Sequence, residues 1–428
     1  MAPIRGNIIR TMSHLIDAEI LGLAGKTSPT RISFDRHINI FYGLNGSGKT
    51  SLLKILHSAM TGNAQSLQNV AFTRATVRIQ SVSREAIHER TIDKAAVVDT
   101  AQTPRKAPSV RRPGALVLAA GRQPDLAWTE PVQQDREPTY GAVVPSLLGD
   151  DKSRLESFDH RYLPTTRLYV SAPVAQPSPF EASLWSLFAA RSDLGPGTPL
   201  TEEVLDKSFA EALERLWGAY TSEVGRSVRA AQAKGLANIL KAVMSGATST
   251  PRKRPRLDLE RAYESVRQFL ERQGSPDVLG TFAKFSERYD TDSSLQAVVH
   301  DIYSVEQEID AATEPQQRLE RLIHRLYSGN KRVIFTEKSI IVESGTGERI
   351  GLESLSSGEK QLIRMFVECL SGGPNSILID EPEISVHIDW QRELMAILQS
   401  LNQGAQFVVA THSPEIMAEI PDERLFSL

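Results

Sequence analysis

Cysteine is almost missing: Cys369 is the one thiol in 428 residues, so no disulfide can form within the chain. That fits a reducing compartment, and a lone thiol between Glu368 and Leu370 in a helical pattern reads as a small buried hydrophobe. Long apolar runs are missing too. None approaches the ~18 residues that span a bilayer. The start, MAPIRGNIIRTMSHLIDAEI, lacks the apolar stretch and small-residue cleavage site of a secretory leader. A soluble cytoplasmic protein with no membrane partner is expected. Neither sign of charge dominates: 49 Lys and Arg against 52 Asp and Glu leave a net charge of −3. Whole-chain attraction to nucleic acid is thereby excluded, and any such contact must be local. The length admits two or three domains, or one domain with a large insertion.

What is present is an alternation of strand and helix at the two ends of the chain. HINIFYG (37–43) is a short apolar strand ending in glycine, and KTSLLKILHSAM (49–60) places Leu52, Leu53, Leu56 and Met60 on one helical stripe. ATVRIQSV (75–82) alternates as a half-exposed strand. From about 95 to 159 the chain is rich in proline, glycine and polar residues, with ALVLAAG (115–121) as one expected strand, and TRLYVSAP (166–173) returns to strand character. Residues 180–330 read mostly as helix. They contain a basic linker with Arg252, Lys253, Arg254 and Arg256, either a solvated spacer or a contact for nucleic acid or an acidic partner. RVIFT, SIIVES and ERIGL then form a meander. LSSGEKQLIRMFVECL (helix), NSILIDEPE (strand), DWQRELMAILQSLNQG (helix) and QFVVATHS (strand) follow, as a parallel, doubly covered sheet requires. The expected division is 1–94, 95–179, 180–330 and 331–428.

Gly43, Gly48, Lys49 and Thr50 fit G-x-x-x-x-G-K-[ST] between a strand and a helix. Glycines at 43, 46 and 48 let the backbone curl until successive N–H groups face one anion, and the following helix adds its positive end. Asn45, Gly46, Ser47, Gly48, Lys49, Thr50 and Ser51 are therefore the expected ATP-binding residues. Lys49 reaches the β- and γ-phosphates and Thr50 places an oxygen on Mg²⁺. Asp380 and Glu381 close an apolar strand, where ligands gather in parallel sheets. There Asp380 can hold the Mg²⁺ through a water and Glu381 can orient or deprotonate an attacking water. Thr411 and His412 end another such strand, where an imidazole could reach a γ-phosphate. Ser356, Ser357, Gly358 and Glu359 lie at the start of the helix bearing Leu362, Ile363, Phe366 and Leu370, a ready anion site. The chain's own triphosphate is already enclosed by 43–51, so this patch is expected to cap one bound to a second copy.

The ordered set NGSGKTS, LSSGEKQ, ILIDEPE and VATHS resembles the ABC-type ATPases, within them the branch of RecF, SMC heads and OLD-family proteins. YLPTTRLY (162–169) looks like a strand common in this group. The resemblance covers roughly 14–60 and 331–418. It implies an α/β P-loop ATPase head with a mixed or parallel sheet core, an antiparallel β subdomain and a large helical insertion. Carried over, Lys49, Thr50, Asp380 and Glu381 take the Walker A and B positions. Ser356, Ser357, Gly358 and Glu359 take the signature acting in trans, Ser385 and His387 lie in the D-loop, and His412 is the switch histidine. Ser357 stands where transporters have glycine, as is normal for this branch, and Gln176 is the topological choice for the Q-loop.

The sequence stops sixteen residues after His412, whereas OLD nucleases continue into an acidic TOPRIM domain, and no other nuclease pattern is visible. The expectation is an ATP- and Mg²⁺-dependent switch that forms a homodimer or higher homo-oligomer. It would control a separately encoded effector, a nuclease by resemblance to Septu-like and PARIS-like phage defence. The alternative is a RecF- or SMC-like repair ATPase that binds DNA directly; a transporter subunit fits worst.

Overall fold

The computed structural model describes residues 12–82, 85–94, 126–130, 155, 157–165, 202–244, 257–272, 274, 275, 278–327 and 331–428. The expected strands at 115–121 and 166–173, Gln176 and the basic linker 252–256 lie outside the described residues, as does most of the 95–179 insert. The chain divides into two units, Met1–Leu216 with Gly351–Leu428, and Trp217–Ile350.

In the first unit the strands are β1 (Ser13–Leu21), β2 (Thr30–Ser33), β3 (Ile38–Tyr42), β4 (Arg74–Ser81), β5 (Ala86–Asp93) and β6 (His160–Leu163), with helix α1 (Lys49–Thr61) after β3. Helix α2 (Glu202–Met244) begins here, and past it, in the second unit, come α3 (Leu259–Arg272), α4 (Phe282–Thr291), α5 (Ser293–Leu326), β7 (Lys331–Phe335), β8 (Ile340–Ser344) and β9 (Arg349–Ile350). The first unit resumes with α6 (Ser357–Ser371), β10 (Ser376–Asp380), α7 (Ile388–Leu401), β11 (Gln406–Thr411), α8 (Pro414–Met417) and β12 (Leu425–Ser427).

The first unit contains a five-stranded sheet in the order β12-β3-β11-β10-β6, parallel at every pairing. Its central strands have no solvated face: β10 and β11 are buried at every residue. That is why INIFY, SILID and QFVVAT are continuous apolar runs rather than alternating ones. The polar members are satisfied. Gln406 Oε1 accepts from Leu15 N and Ser376 Oγ, while its Nε2 donates to the carbonyls of Leu15 and Asp35. One buried amide thus ties three chain segments together.

Helix α1 buries Leu52, Leu53, Ile55, Leu56, Ala59 and Met60 in one core with Phe41, Leu378, Val408 and the inner residues of β1 and β4. Full burial of each large side chain contributes about 1.5–3 kcal/mol. The antiparallel sheet β2-β1-β4-β5 supplies the other wall of that core. Gly62, left-handed at φ 71°, ends α1, as a glycine just past a helix commonly does. Arg90, fully buried, donates to the last-turn carbonyls of Ala59 and Met60 and pairs with Glu130 at 2.6 Å. The C-terminal end of α1 is therefore held by a cation on its negative end.

The second unit contains long helices and the expected meander, an antiparallel sheet in the order β7-β8-β9. Trp217 is buried against Phe335, ring centroids 4.7 Å apart, and its Nε1 donates to the Thr336 carbonyl at 2.7 Å. A Cβ on Gly235 would meet Val305 Cγ2 at 2.2 Å, so α2 and α5 approach as closely as they do because that residue has no side chain.

Candidate nucleotide site

The loop between β3 and α1 curls through three glycines in left-handed territory: Gly43 at φ 153°, Gly46 at 85° and Gly48 at 104°. Side chains rarely adopt that backbone. Gly43 and Gly48 are also closed to a Cβ, which would meet the Leu428 carbonyl at 2.4 Å in the first case and Leu23 and Ala24 at 3.1 Å in the second. Lys49 heads α1 and is buried, with Nζ donating to the carbonyls of Gly43 at 2.9 Å and Leu44 at 3.1 Å. Burial lowers its pKa, against the opposing pull of Glu381, Asp380 and Glu383. Ser47 Oγ is buried with no hydrogen-bond partner among the described residues. An unpartnered hydroxyl and an ammonium donating to its own loop are groups that a bound phosphate could satisfy, so the loop fits a nucleotide phosphate.

The acids stand at the carboxyl end of β10. Asp380 accepts from Thr50 Oγ1 at 3.2 Å on one oxygen and from Thr165 Oγ1 at 2.6 Å on the other. Burial raises its pKa, opposed by those two hydrogen bonds. A threonine hydroxyl beside a carboxylate oxygen is a hard-ligand pair suited to Mg²⁺. Glu381 follows at φ 51°, a conformation uncommon for a residue with a side chain and frequent at functional sites. Its pKa is raised by burial and then by the Asp380 charge, with His412 opposing. His412 Nε2 stands 3.6 Å from Glu381 Oε1.

Ser356 and Glu359 form a reciprocal cap at the start of α6. Ser356 Oγ accepts from Glu359 N at 3.3 Å, and the Glu359 carboxylate accepts from Ser356 N at 2.6 Å. The side chains of Ser356 and Ser357 face solvent. Gly358 is closed by the neighbouring loop, since a Cβ there would sit 2.2 Å from the Ser385 carbonyl. Ser385 is left-handed at φ 63°. It is exposed, as are His387, Ile388 and Asp389, and His387 caps α7 by accepting from Asp389 N at 3.4 Å. One turn further along α6, buried Lys360 pairs with Asp206 at 2.6 Å.

The geometry thus brings Lys49, Thr50, Asp380, Glu381 and His412 to one sheet end and places Ser356, Ser357 and Gly358 against the loop of Ser385 and His387. Two further residues belong to the arrangement and carry no assignment from sequence. Thr165 sits two residues past β6 within the quoted YLPTTRLY. Glu383 is the last acid of DEPE, and its Oε1 accepts from His412 N and Ser413 N at 2.6 and 3.2 Å. The repeated acid in DEPE was the available signal for the second.

A family model described as "AAA domain, putative AbiEii toxin, Type IV TA system" matches residues 249–418, and one described as "AAA domain" matches residues 24–139. Among curated proteins, "Retron Vc95 probable ATPase" of Vibrio cholerae serotype O1 biovar El Tor is 28% identical over 92 residues, 18% of this chain and 18% of that protein. "Retron Ec83 probable ATPase" of Escherichia coli is 29% identical over 87 residues, 17% and 16% respectively. The chain thus matches less than a fifth of either relative's length. Among solved structures, the Smc head domain of Pyrococcus furiosus bound to the C-terminal domain of ScpA aligns over 95% of this chain and 92% of that one, with TM-score 0.40 and 12% identity. The SMC head domain of Thermotoga maritima aligns over 95% and 91%, with TM-score 0.34 and 12% identity. The glycine loop lies within the second of these AAA-domain matches, and the acid pair and His412 lie within the first.

Proposed function

We propose that the chain binds Mg²⁺·ATP in the 43–51 loop, hydrolyses it with Glu381 and His412, and works as a dimer in which each nucleotide is closed by the Ser356–Gly358 patch of the other copy. The observation that carries the reading is the convergence of Thr50, Asp380, Glu381 and His412 on the carboxyl end of one parallel sheet beside Lys49. Lys49 and the loop N–H groups would hold the β- and γ-phosphates, and Thr50 with Asp380 would hold the Mg²⁺. When bound, the metal neutralises phosphate charge and orients the terminal phosphate.

Glu381 supplies the base. A carboxyl shifted upward by burial and by a neighbouring acid is a better proton acceptor than an ordinary one. His412 Nε2, 3.6 Å from Glu381 Oε1, would turn toward that carboxylate or toward a phosphate oxygen.

The dimer is supported by what the site leaves exposed. Leu44, in the phosphate loop, is 85% exposed, and Ile388, beside His387, is 53% exposed. Two bare aliphatic side chains flanking polar loops fit an interface core better than a free surface. Control of a separately encoded effector, a nuclease in antiviral defence, is part of the same proposal; the names of the curated relatives support the ATPase alone. Hydrolysis measured with Lys49→Ala and Glu381→Gln, alongside mass by light scattering with and without ATP, tests the reading. A wild-type protein that neither binds ATP nor changes mass with it would overturn it.

A further inference from the structure

We propose that Glu383 is the positioning residue for His412. The inference rests on the site reading above and deepens it. A strand end alone does not hold the imidazole against Glu381, because the chain leaves β11 at Thr411. What holds it is a carboxylate twenty-nine residues earlier: Glu383 Oε1 accepts from the backbone N–H groups of both His412 and Ser413. Two N–H groups converging on one charged oxygen form a strong, directional anchor.

The remaining contacts close the same knot. Ser413 N also donates to Thr411 Oγ1 at 2.9 Å, and Ser413 Oγ donates to Gln391 Oε1 at 2.7 Å. Gln391 Nε2 donates to the carbonyls of Glu383 and Val386. The histidine loop is therefore bonded to the 383–386 turn and to α7 rather than to its own strand alone. That turn is held between two left-handed residues, Glu381 at φ 51° and Ser385 at φ 63°. Ser385 is exposed on the proposed dimer face. A second copy pressing on Ser385 would move Glu383, and with it the imidazole that faces Glu381. The second oxygen, Glu383 Oε2, is buried with no hydrogen-bond partner among the described residues.

The test compares Glu383→Ala and Glu383→Gln in the wild-type and His412→Ala backgrounds. It uses the full chain with Mg²⁺·ATP, steady-state kinetics and amide hydrogen exchange. Glu383→Ala should lower kcat about 10²-fold, the effect of a small misplacement of a reacting group, while KM changes less than about threefold. It should also speed exchange at the His412 and Ser413 amides. Glu383→Gln keeps an acceptor oxygen and should recover kcat to within about tenfold of wild type. In the His412→Ala background Glu383→Ala should add less than about twofold, because it acts through the lost imidazole. Equal losses in both backgrounds would overturn the proposal, as would unchanged amide exchange in Glu383→Ala. Should the alanine variant fail to fold, Glu383→Gln decides alone: wild-type protection at His412 and Ser413 together with a kcat loss of about 10²-fold would sink it. Glu381→Gln separates the two layers. If it is inactive while Glu383→Ala turns over like wild type, the site reading stands and this proposal falls; if it turns over like wild type, both fall.

Discussion

Thr165 Oγ1 lies 2.6 Å from Asp380 Oδ2, and Thr50 Oγ1 lies 3.2 Å from Oδ1 of the same carboxylate. One acid is thus oriented by two hydroxyls, one on each oxygen, 215 and 330 residues away in sequence. Thr165→Val keeps the shape and removes one donor to a charged group, which is worth about 1.5–3 kcal/mol. Isothermal titration should show Mg²⁺·ATP binding weakened roughly 10- to 100-fold, with binding of ATP in EDTA little changed.

Lys49→Ala should abolish nucleotide binding, because no other ammonium among the described residues donates to the loop carbonyls. Glu381→Gln should bind ATP, lose roughly 10²- to 10⁴-fold in turnover, and accumulate as a dimer when ATP is present. Filter binding, phosphate release and light scattering separate these outcomes. Equal phosphate release from wild type and Glu381→Gln would remove the assignment.

Both acids are pushed above the ordinary carboxylate range by burial, Glu381 further by the Asp380 charge. The sign follows. A raised folded-state pKa favours the protonated form, so the stability associated with these groups is present at low pH and lost as pH rises through the raised values. In the nucleotide-free protein Asp380→Asn should therefore melt above wild type at neutral pH. The acid limb of the kcat profile should lie above that of an exposed glutamate, because Glu381 works only when ionised.

His57 Nδ1 and His160 Nε2 are 2.7 Å apart, and His160 Nδ1 lies 2.8 Å from the Phe158 carbonyl. Both rings are neutral: burial holds His57 well below 6.5 and takes His160 down to about 4. For a depressed histidine the stability is present above the unfolded value and is lost as pH falls through the folded one. Chemical denaturation should show it dropping between pH 6.5 and about 4, by a few kcal/mol. His57→Leu with His160→Leu should flatten that slope.

Gly358→Ala places a methyl 2.2 Å from the Ser385 carbonyl. Backbone cannot retreat as a flexible side chain can, so the substitution should cost about 1–3 kcal/mol and displace the 385–387 loop. A lowered melting temperature together with weakened ATP-dependent dimerisation would agree. A variant that dimerises like wild type would show that the contact is not needed.

The legible part was local. NGSGKT reads as a phosphate loop because the glycine spacing is itself the conformational requirement, and SILID and QFVVAT read as buried strands because a parallel sheet leaves them no wet face. The meander at 331–350 was equally clear from three short strands with turn residues between them. Strands β1, β2 and β5 were not visible, since half-exposed strands with charged residues carry weak patterns whose pairing, not composition, makes them strands, and β12, at three residues, is too short to carry a pattern.

By itself the sequence determined the chemistry on offer: an ammonium in a glycine loop, hydroxyls, two adjacent acids and a histidine, each at an element end. Only the tertiary structure decided which partners orient them. Thr165 reaches Asp380, Glu383 holds the His412 loop, Arg90 caps the phosphate-loop helix and His57 meets His160. These contacts join segments from 29 to 215 residues apart. Hydrogen bonds across such separations depend on how sheets and helices stack, which no local run of residues encodes.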